Sequence, residues 1–355
     1  MRILIELCAS AVAVAFDSKC SRRRAAATRT VTPNWSLLCF WLAVAIGLSI
    51  STIQSIAQTF PDRGLKIVVP FAPGGGIDFV GRALGQRLEI ELKQSVVVEN
   101  RTSGGSTVGV ASVANAPADG YTLLVVDPSV TINPSLRQNS PYQLKQLKVL
   151  ATLTTAPLMV VVHPQLPIHS LKEMIEYSKA TPGGMTYGSA GIGTTTHLAP
   201  ELLKVQTGFN ATHIPYRGGG PSIPDLLSGR IHSVFYSNAT VLPLMNDGRV
   251  RAVAQTGPQR IKASPTVPTA KEAGYPDFVV ELWTAVFVPV GLPPGVEKRL
   301  EDAINRVAES PDFVAAIQTG GLESFYKAGS TAASFVQAEY DRWGALIKTA
   351  NITEN

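Results

Sequence analysis

The segment YGSAGIGTTTH, residues 187–197, gathers one serine, three threonines and a histidine around three glycines. Two kinds of chemistry fit those residue types. Ser189 with His197 could form a nucleophile and its base. That reading is weakened at once, because the nucleophile elbow G-x-S-x-G needs glycine where Tyr187 stands. The other chemistry is anion binding. Glycines let backbone N–H groups approach a ligand closely, and the first turn of a helix carries unpaired N–H donors and partial positive charge. With the hydroxyls of Ser189, Thr194, Thr195 and Thr196 added, such a loop can hold a carboxylate through neutral donors alone.

Three further glycine loops have the same character: PFAPGGGID (70–78), NRTSGGS (100–106) and PYRGGGP (215–221). Phosphate is the rival anion. The first loop lacks the Gly-Lys-Ser/Thr ending of a P-loop, and GGGIDFVG does not spell G-x-G-x-x-G, so nucleotide binding is not supported. Asp78, the first polar residue after the glycines, reads as a helix cap or as a contact to a hydroxyl, amine or bound water of the ligand. His197 and Glu201 stand i, i+4, but one such pair lacks the further ligands of a zinc site. His163, His169, His213 and His232 are scattered and read as ordinary loop or strand-end residues. No metal and no cofactor is expected.

The elements that must position these loops alternate in type from residue 65 onward, as in an α/β domain with a mainly parallel sheet. LKIVVPFA reads as a strand, and Val80, Leu84, Leu88 and Leu92 then mark one buried helical stripe. SVVVEN (95–100) is a strand, the stretch around Ser106 to Asn115 a helix, and YTLLVV (121–126) a third strand. Ser170 and Glu173 form a capping box that opens a helix running to Gly183-Gly184. MTYGS, THIPY, IHSVFY and RAVAQT are strand-like. After residue 293 the pattern is purely helical, with Val296, Leu300, Ile304 and Val307 on one face and a last helix from about Thr331 to Ala350. In open sheets of this kind ligands sit at the carboxyl ends of strands, where the four glycine loops fall.

Two long apolar runs, residues 149–164 and 278–293, read as paired crossovers. The chain would leave a first lobe (58–160), build a second (161–283) and return to the first (284–355), leaving a cleft at the hinge. Trp283 and Tyr216 beside these features read either as core packing or as cleft wall.

The net charge of +5 does not describe the body of the protein. Residues 58–355 carry 25 Lys and Arg against 24 Asp and Glu, which leaves no electrostatic footprint for nucleic acid. The excess sits in a leader, where an Arg-rich patch precedes the apolar run Trp35–Ile50 and the small-residue signal Ser55-Ile56-Ala57. This reads as a secretory signal peptide cleaved after Ala57, preceded by more chain than usual, and it directs the protein to the periplasm. Cys8, Cys20 and Cys39 all lie in that leader, so the mature chain needs neither a disulfide nor a thiol nucleophile.

Seven segments together resemble one family. They are FPDRGLKIVVPFAPGGGIDFVGRALGQRL, VVVENR, DGYTLL, YGSAGIGTTTHLAPELL, HIPYRGGGPSIPDLLSGRI, VPTAKEAGYPDF and EYDRWGALIKTANI. In order and spacing, from about residue 60 to 353, the chain is similar to the Bug-type, TctC-like receptors, the extracytoplasmic solute-binding proteins of tripartite tricarboxylate transporters. The resemblance implies a type II periplasmic-binding-protein fold: two α/β lobes, two hinge-crossing strands and a small carboxylate in the cleft. It implies large and small integral membrane subunits as partners, a monomer, and no enzymatic activity. Carried onto this chain, the first lobe offers Phe71, Ala72, Gly75, Gly76 and Asp78. The second offers Tyr187, Ser189, Gly193, Thr194 and His197, with Tyr216 and Gly218.

The chain departs from the family pattern at three places. Ile77 replaces the usual Thr or Ser, NRTSGGSTVG replaces the commoner Asn-Arg-Pro-Gly-Ala-Gly-Gly, and His232 stands where an Asp is usual. Two other outputs compete with transport: a secreted hydrolase using Ser189 and His197, and a receptor of the same fold that presents its ligand to a sensor kinase.

Overall fold

A computed structural model describes residues 60–102 and 104–354; the leader reading at residues 1–57 falls outside the described residues. Strand β1 (Leu65–Val69) lies inside a sheet with both faces covered, which is why its apolar run is continuous rather than alternating. Helix α1 (Gly76–Leu92) follows and buries Val80, Leu84, Leu88 and Leu92, the predicted stripe. Next come β2 (Val96–Asn100), α2 (Thr107–Ala114), β3 (Thr122–Val126) and α3 (Ser129–Leu136). The backbone of α2 presses directly on the base of the first glycine loop. A Cβ on Gly109 would lie 2.6 Å from Pro70 Cβ and 2.7 Å from the Arg101 carbonyl, so no larger residue fits there.

Strands β4 (Leu147–Thr155) and β5 (Leu158–Val162) occupy the first long run. The expected single crossing strand is broken at Ala156-Pro157, where β4 ends in one sheet and β5 begins in another. Proline has no N–H to donate to a ladder, so the sheet changes there. The next elements are α4 (Leu171–Ala180), β6 (Met185–Ser189), α5 (Thr195–Thr207), β7 (Ala211–Pro215), α6 (Ile223–Leu227), β8 (Ser233–Ser237), α7 (Asn238–Asn246) and β9 (Arg251–Gln255). Ser170 caps α4 as predicted, its Oγ accepting from the Glu173 amide at 3.2 Å. The return run yields only β10 (Thr284–Pro289), preceded by an extended stretch whose Leu282 exchanges backbone hydrogen bonds with Ala156. Helices α8 (Pro294–Ala308) and α9 (Pro311–Thr319), strand β11 (Glu323–Ala328) and helix α10 (Gly329–Thr349) complete the chain.

The two sheets run β11-β4-β10-β3-β1-β2 and β7-β6-β8-β5-β9. Both are mixed rather than mainly parallel. β10 is antiparallel to β3 and β4, and β5 is antiparallel to β8 and β9, because each strand that arrives from the other sheet enters in the reverse direction. The carboxyl-terminal stretch is not purely helical either. β11 pairs antiparallel with β4 at the sheet edge, a six-residue strand of half-exposed residues too short and too mixed for a period to be read from the sequence. Helix α3, with Pro134 inside it, also gave no sequence signal.

Helix α10 ties the sheets together. Its Ala332 and Val336 belong to a core cluster of the six-stranded sheet, while Trp343, Leu346 and Ile347 belong to a second cluster that runs from Ile132 and Leu136 of α3 to Leu198 and Leu203 of α5 and the strands of the five-stranded sheet. Trp283 is core rather than cleft wall: it is 1% exposed, sits edge-on to Phe335, and donates from Nε1 to Glu339 at 3.1 Å. Glu339 accepts from Trp343 Nε1 as well, at 3.1 Å. Among the described residues, no helix is long and apolar enough to cross a membrane.

Because Trp343 is fully buried at this junction, Trp343→Ala is expected to destabilise the fold by roughly 3–5 kcal/mol. Urea denaturation checks this. A loss below about 1 kcal/mol would show that α10 is dispensable to the second core.

Candidate functional site

The first glycine loop leaves β1 at Pro70 and enters α1 with Gly75 as an N-cap that has no side chain to offer. Ala72, Gly75 and Gly76 are exposed and Phe71 is half-buried. The amides of Gly76, Ile77 and Asp78 open the helix and therefore have no intrahelical partner. Ile77 packs against the core beneath α1, so the side chain that departs from the family pattern serves the lobe interior.

Asp78 is 2% exposed and fully engaged. Its Oδ2 accepts from Gly74 N at 2.8 Å and Arg82 Nε at 2.9 Å, and its Oδ1 from Asn100 Nδ2 at 2.8 Å. Asn100 Nδ2 also donates to the Phe71 carbonyl at 2.9 Å. Burial alone would raise the carboxyl pKa, but the hydrogen bonds from Arg82, Gly74 and Asn100 hold it below the usual carboxylate value. Asp78 is therefore a brace: from the third helical position it reaches back to the loop, as the acid of a capping box does. Its oxygens are taken up by the chain itself.

The second-lobe loop, between β6 and α5, is built in the opposite manner, from side chains that satisfy its own backbone. Ala190 N donates to Thr196 Oγ1 at 2.9 Å, Gly191 N to Ser189 Oγ at 3.0 Å and Gly193 N to His197 Nδ1 at 3.3 Å. Thr194, the N-cap residue, turns its Oγ1 to the Gly191 carbonyl at 2.7 Å and to Thr196 Oγ1 at 2.8 Å. The neighbouring loop is sewn to this one, with Tyr216 N donating to the Ser189 carbonyl and Gly218 N to the Ala190 carbonyl, both at 3.1 Å. Tyr216 Oη donates to Asp225 Oδ2 at 2.7 Å.

Beneath the loop lies a stack of three rings. His213 is sandwiched between Tyr187 at 4.9 Å and His197 at 4.1 Å, with interplanar angles of 18° and 16°. Tyr187 is fully buried, and its Oη donates to Glu201 Oε1 at 2.6 Å. Burial pushes the His197 pKa down to about 4 and that of His213 down to about 3. Both imidazoles are thus neutral, and acceptance by His197 Nδ1 leaves its proton on Nε2.

Ser189 Oγ pairs with His213 Nε2 at 2.6 Å, not with His197. This corrects the expected Ser189–His197 pair. Ser189 is 0% exposed, and the nearby carboxylate that could orient an imidazole, Glu201, is held by Tyr187 and Lys204. A buried pair without an orienting acid organises the loop and is not poised to attack a substrate.

One buried hydroxyl of this segment stands apart. Thr195, the first residue of α5, is 0% exposed, and its Oγ1 has no hydrogen-bond partner among the described residues. It adjoins the first-turn amides of Thr195 and Thr196, which point out of the helix end. A neutral hydroxyl with helix-terminal N–H groups is a donor set for a carboxylate.

The lobes meet on both flanks of these loops. A Cβ on Gly193, whose φ is +78°, would lie 2.7 Å from Asn133 Oδ1 of α3, and one on Gly105 would lie 3.1 Å from the Ile192 carbonyl. On the other flank a Cβ on Gly321 would lie 3.5 Å from Ala239 at the start of α7.

Of the expected residues, Phe71, Ala72, Gly75 and Gly76 lie at the first-lobe loop surface. Gly193, Thr194 and Gly218 shape the second-lobe loops, while Asp78, Tyr187, Ser189 and Tyr216 act as supports whose side-chain oxygens are bonded within the chain, and His197 supports the loop through Nδ1. Asn100, Arg82 and His213 were not singled out from the sequence, since a brace formed across 22 residues or a ring stack across two strands leaves no local pattern. His232 is a packing residue, its Nδ1 accepting from the Thr186 amide at 2.9 Å. Among the described residues, no group of three or more His, Cys, Asp or Glu could hold a metal ion.

The family model described as Tripartite tricarboxylate transporter family receptor matches residues 80–352. Protein BugT of Bordetella pertussis is 34% identical over 314 residues, covering 86% of this chain and 96% of that one. A solved structure from R. palustris with adipate is 30% identical, with a TM-score of 0.75, and covers 83% of this chain and 99% of that one. MatC from Rhodopseudomonas palustris with bound malate is 28% identical, with a TM-score of 0.72, covering 81% and 100%.

Replacing Thr195 by the isosteric Val removes a buried hydroxyl without a partner, so the ligand-free protein is expected to be unchanged or stabilised by about 1 kcal/mol. A loss of more than about 1 kcal/mol in denaturant titration would mean the hydroxyl is bonded within the chain. The neutral histidines set a pH dependence. The unfolded chain binds protons near the free value of 6.5 and the folded one only near 4 or below, so stability is full above about 6.5 and falls as the pH drops toward 4. The slope is up to about 1.4 kcal/mol per pH unit for each histidine. His197→Gln should flatten it, and a thermal midpoint as steep in the variant as in the parent would contradict the assignment.

Proposed function

Because the chain belongs to the tripartite tricarboxylate transporter receptor family, we propose that it captures a small mono- or dicarboxylic acid between two lobes and delivers it to the large and small membrane subunits of a secondary transporter. The family and its structural neighbours are substrate-binding receptors rather than enzymes. The lobes are taken as residues 58–160 with 284–355, and 161–283. The protein acts as a monomer in the periplasm after cleavage of the leader behind Ala57.

The observation that carries the carboxylate reading is Thr195: a buried hydroxyl without a hydrogen-bond partner among the described residues, at the mouth of a 13-residue helix, beside a loop whose Ser189, Thr194 and Thr196 hydroxyls are already committed. The partner surface is the exposed loop Phe71–Gly76 with the opening amides of α1. Asp78 holds that loop in shape, and the ring stack of Tyr187, His213 and His197 does the same for Ser189, Gly193 and Thr194. Tyr216 and Gly218 back the second loop. A ligand bridging both lobes makes contacts available only when they are closed, and so draws the hinge equilibrium toward closure. The proteins solved with adipate and malate support the ligand class.

A thermal-shift screen against carboxylates, phosphates and sugars tests the class, since binding to the folded state raises apparent stability. Carboxylates alone should shift the transition, and a response confined to phosphates or sugars would contradict the proposal. Thr195→Val should weaken the best carboxylate about tenfold or more, the worth of a hydrogen bond to a charged group, while leaving the unliganded fold intact.

A further inference from the structure

Arg217 is an arginine of the candidate loops left without a counter-charge. It is exposed, and no ion pair or hydrogen bond reaches its guanidinium among the described residues. Arg82, Arg101, Arg137, Arg230 and Arg342 by contrast each face a carboxylate, on Asp78, Glu99, Glu354, Asp225 and Glu339. The acid on the element that follows Arg217, Asp225, is already held by Tyr216 Oη and by Arg230.

The position of Arg217 is set by backbone. β7 runs parallel to β6, so its following loop emerges at the same sheet end as the loop 190–194. The residues on either side, Tyr216 and Gly218, donate their amides to the carbonyls of Ser189 and Ala190. Gly218 has a φ of +108°, a conformation that favours glycine and bends the chain back just after the arginine. The backbone at the arginine is therefore tethered through both neighbours to the loop that leads to Thr195, while its guanidinium makes no ion pair or hydrogen bond among the described residues.

Resting on the carboxylate reading above, we propose that Arg217 is a specificity residue: it pairs with the second carboxylate of a dicarboxylate whose first carboxylate is seated at Thr195 and the opening turn of α5. A guanidinium offers a planar fork that a carboxylate accepts in two parallel hydrogen bonds. A neutral far end leaves that fork in water and gains nothing from it. The receptor then selects dicarboxylates over monocarboxylates of equal length, while the neutral donors of the first subsite serve both.

Calorimetric titration of the purified protein and its Arg217→Gln variant with unbranched four- to six-carbon diacids, and with monoacids of the same lengths, tests this. The parent should bind its preferred diacid at least about tenfold more tightly than the matching monoacid, the scale of one charge-assisted pair. R217Q should lose that advantage and keep the monoacid Kd within about twofold. Its unliganded thermal midpoint should not move, because Arg217 has no partner among the described residues. An unchanged diacid Kd in R217Q, or a parent that prefers monoacids, overturns the role of Arg217 and leaves the carboxylate reading standing. A parent that binds no acid in either series, nor any other carboxylate, overturns both.

Discussion

A glycine-rich turn at the end of a buried strand must satisfy its own amides, and the rest of the second lobe follows from how this chain does so. The loop between β6 and α5 is half-buried to buried, and an N–H shielded there from water needs a partner from the protein or costs free energy. Thr196, Ser189 and His197 supply those partners for Ala190, Gly191 and Gly193. His197 can accept only while its Nδ1 is unprotonated, and burial in a stack with His213 and Tyr187 keeps it so. The loop is thereby bonded internally and without net charge. The Thr195 hydroxyl, without a partner among the described residues, and the opening amides of α5 are the donors we propose for a ligand carboxylate.

The first lobe solves the complementary problem. Its glycine loop is exposed and could collapse or wander, and the cost of ordering it would be charged against binding. The Asp78 carboxylate prevents this by gathering Gly74, Arg82 and Asn100, while Asn100 in turn fixes the Phe71 carbonyl. A buried anion with three donors is stable where a lone buried carboxylate would not be. One lobe thus presents a braced, open rim of amides, and the other an internally bonded turn in which the Thr195 hydroxyl has no partner among the described residues. Glycine at 193 and 105 lets the lobes meet beside them.

Much of the architecture was legible in the sequence, for physical reasons. The helical stripe of Val80, Leu84, Leu88 and Leu92 and the cap at Ser170 are local patterns, and both appear as read. The glycine loops fall at strand ends because a turn from strand to helix needs their freedom. What escaped notice depends on distant partners. The antiparallel entry of β5 and β10, the edge strand β11 and the helix α3 are fixed by sheet pairing and packing, not by composition. The same holds within the site. Ser189 meets His213 rather than His197 because β7 lies beside β6, a fact of register that spacing along the chain cannot express.

The central claim is that a ligand carboxylate completes the hydrogen bonding of Thr195 and bridges to the first glycine loop. A crystal structure of the protein with a bound carboxylic acid tests it most directly. One carboxylate group is expected with an oxygen about 2.7–3.2 Å from Thr195 Oγ1 and hydrogen-bonded, directly or through one water, to the amides that open α1. A carboxylate ordered elsewhere, with Thr195 Oγ1 still without a partner, would contradict it.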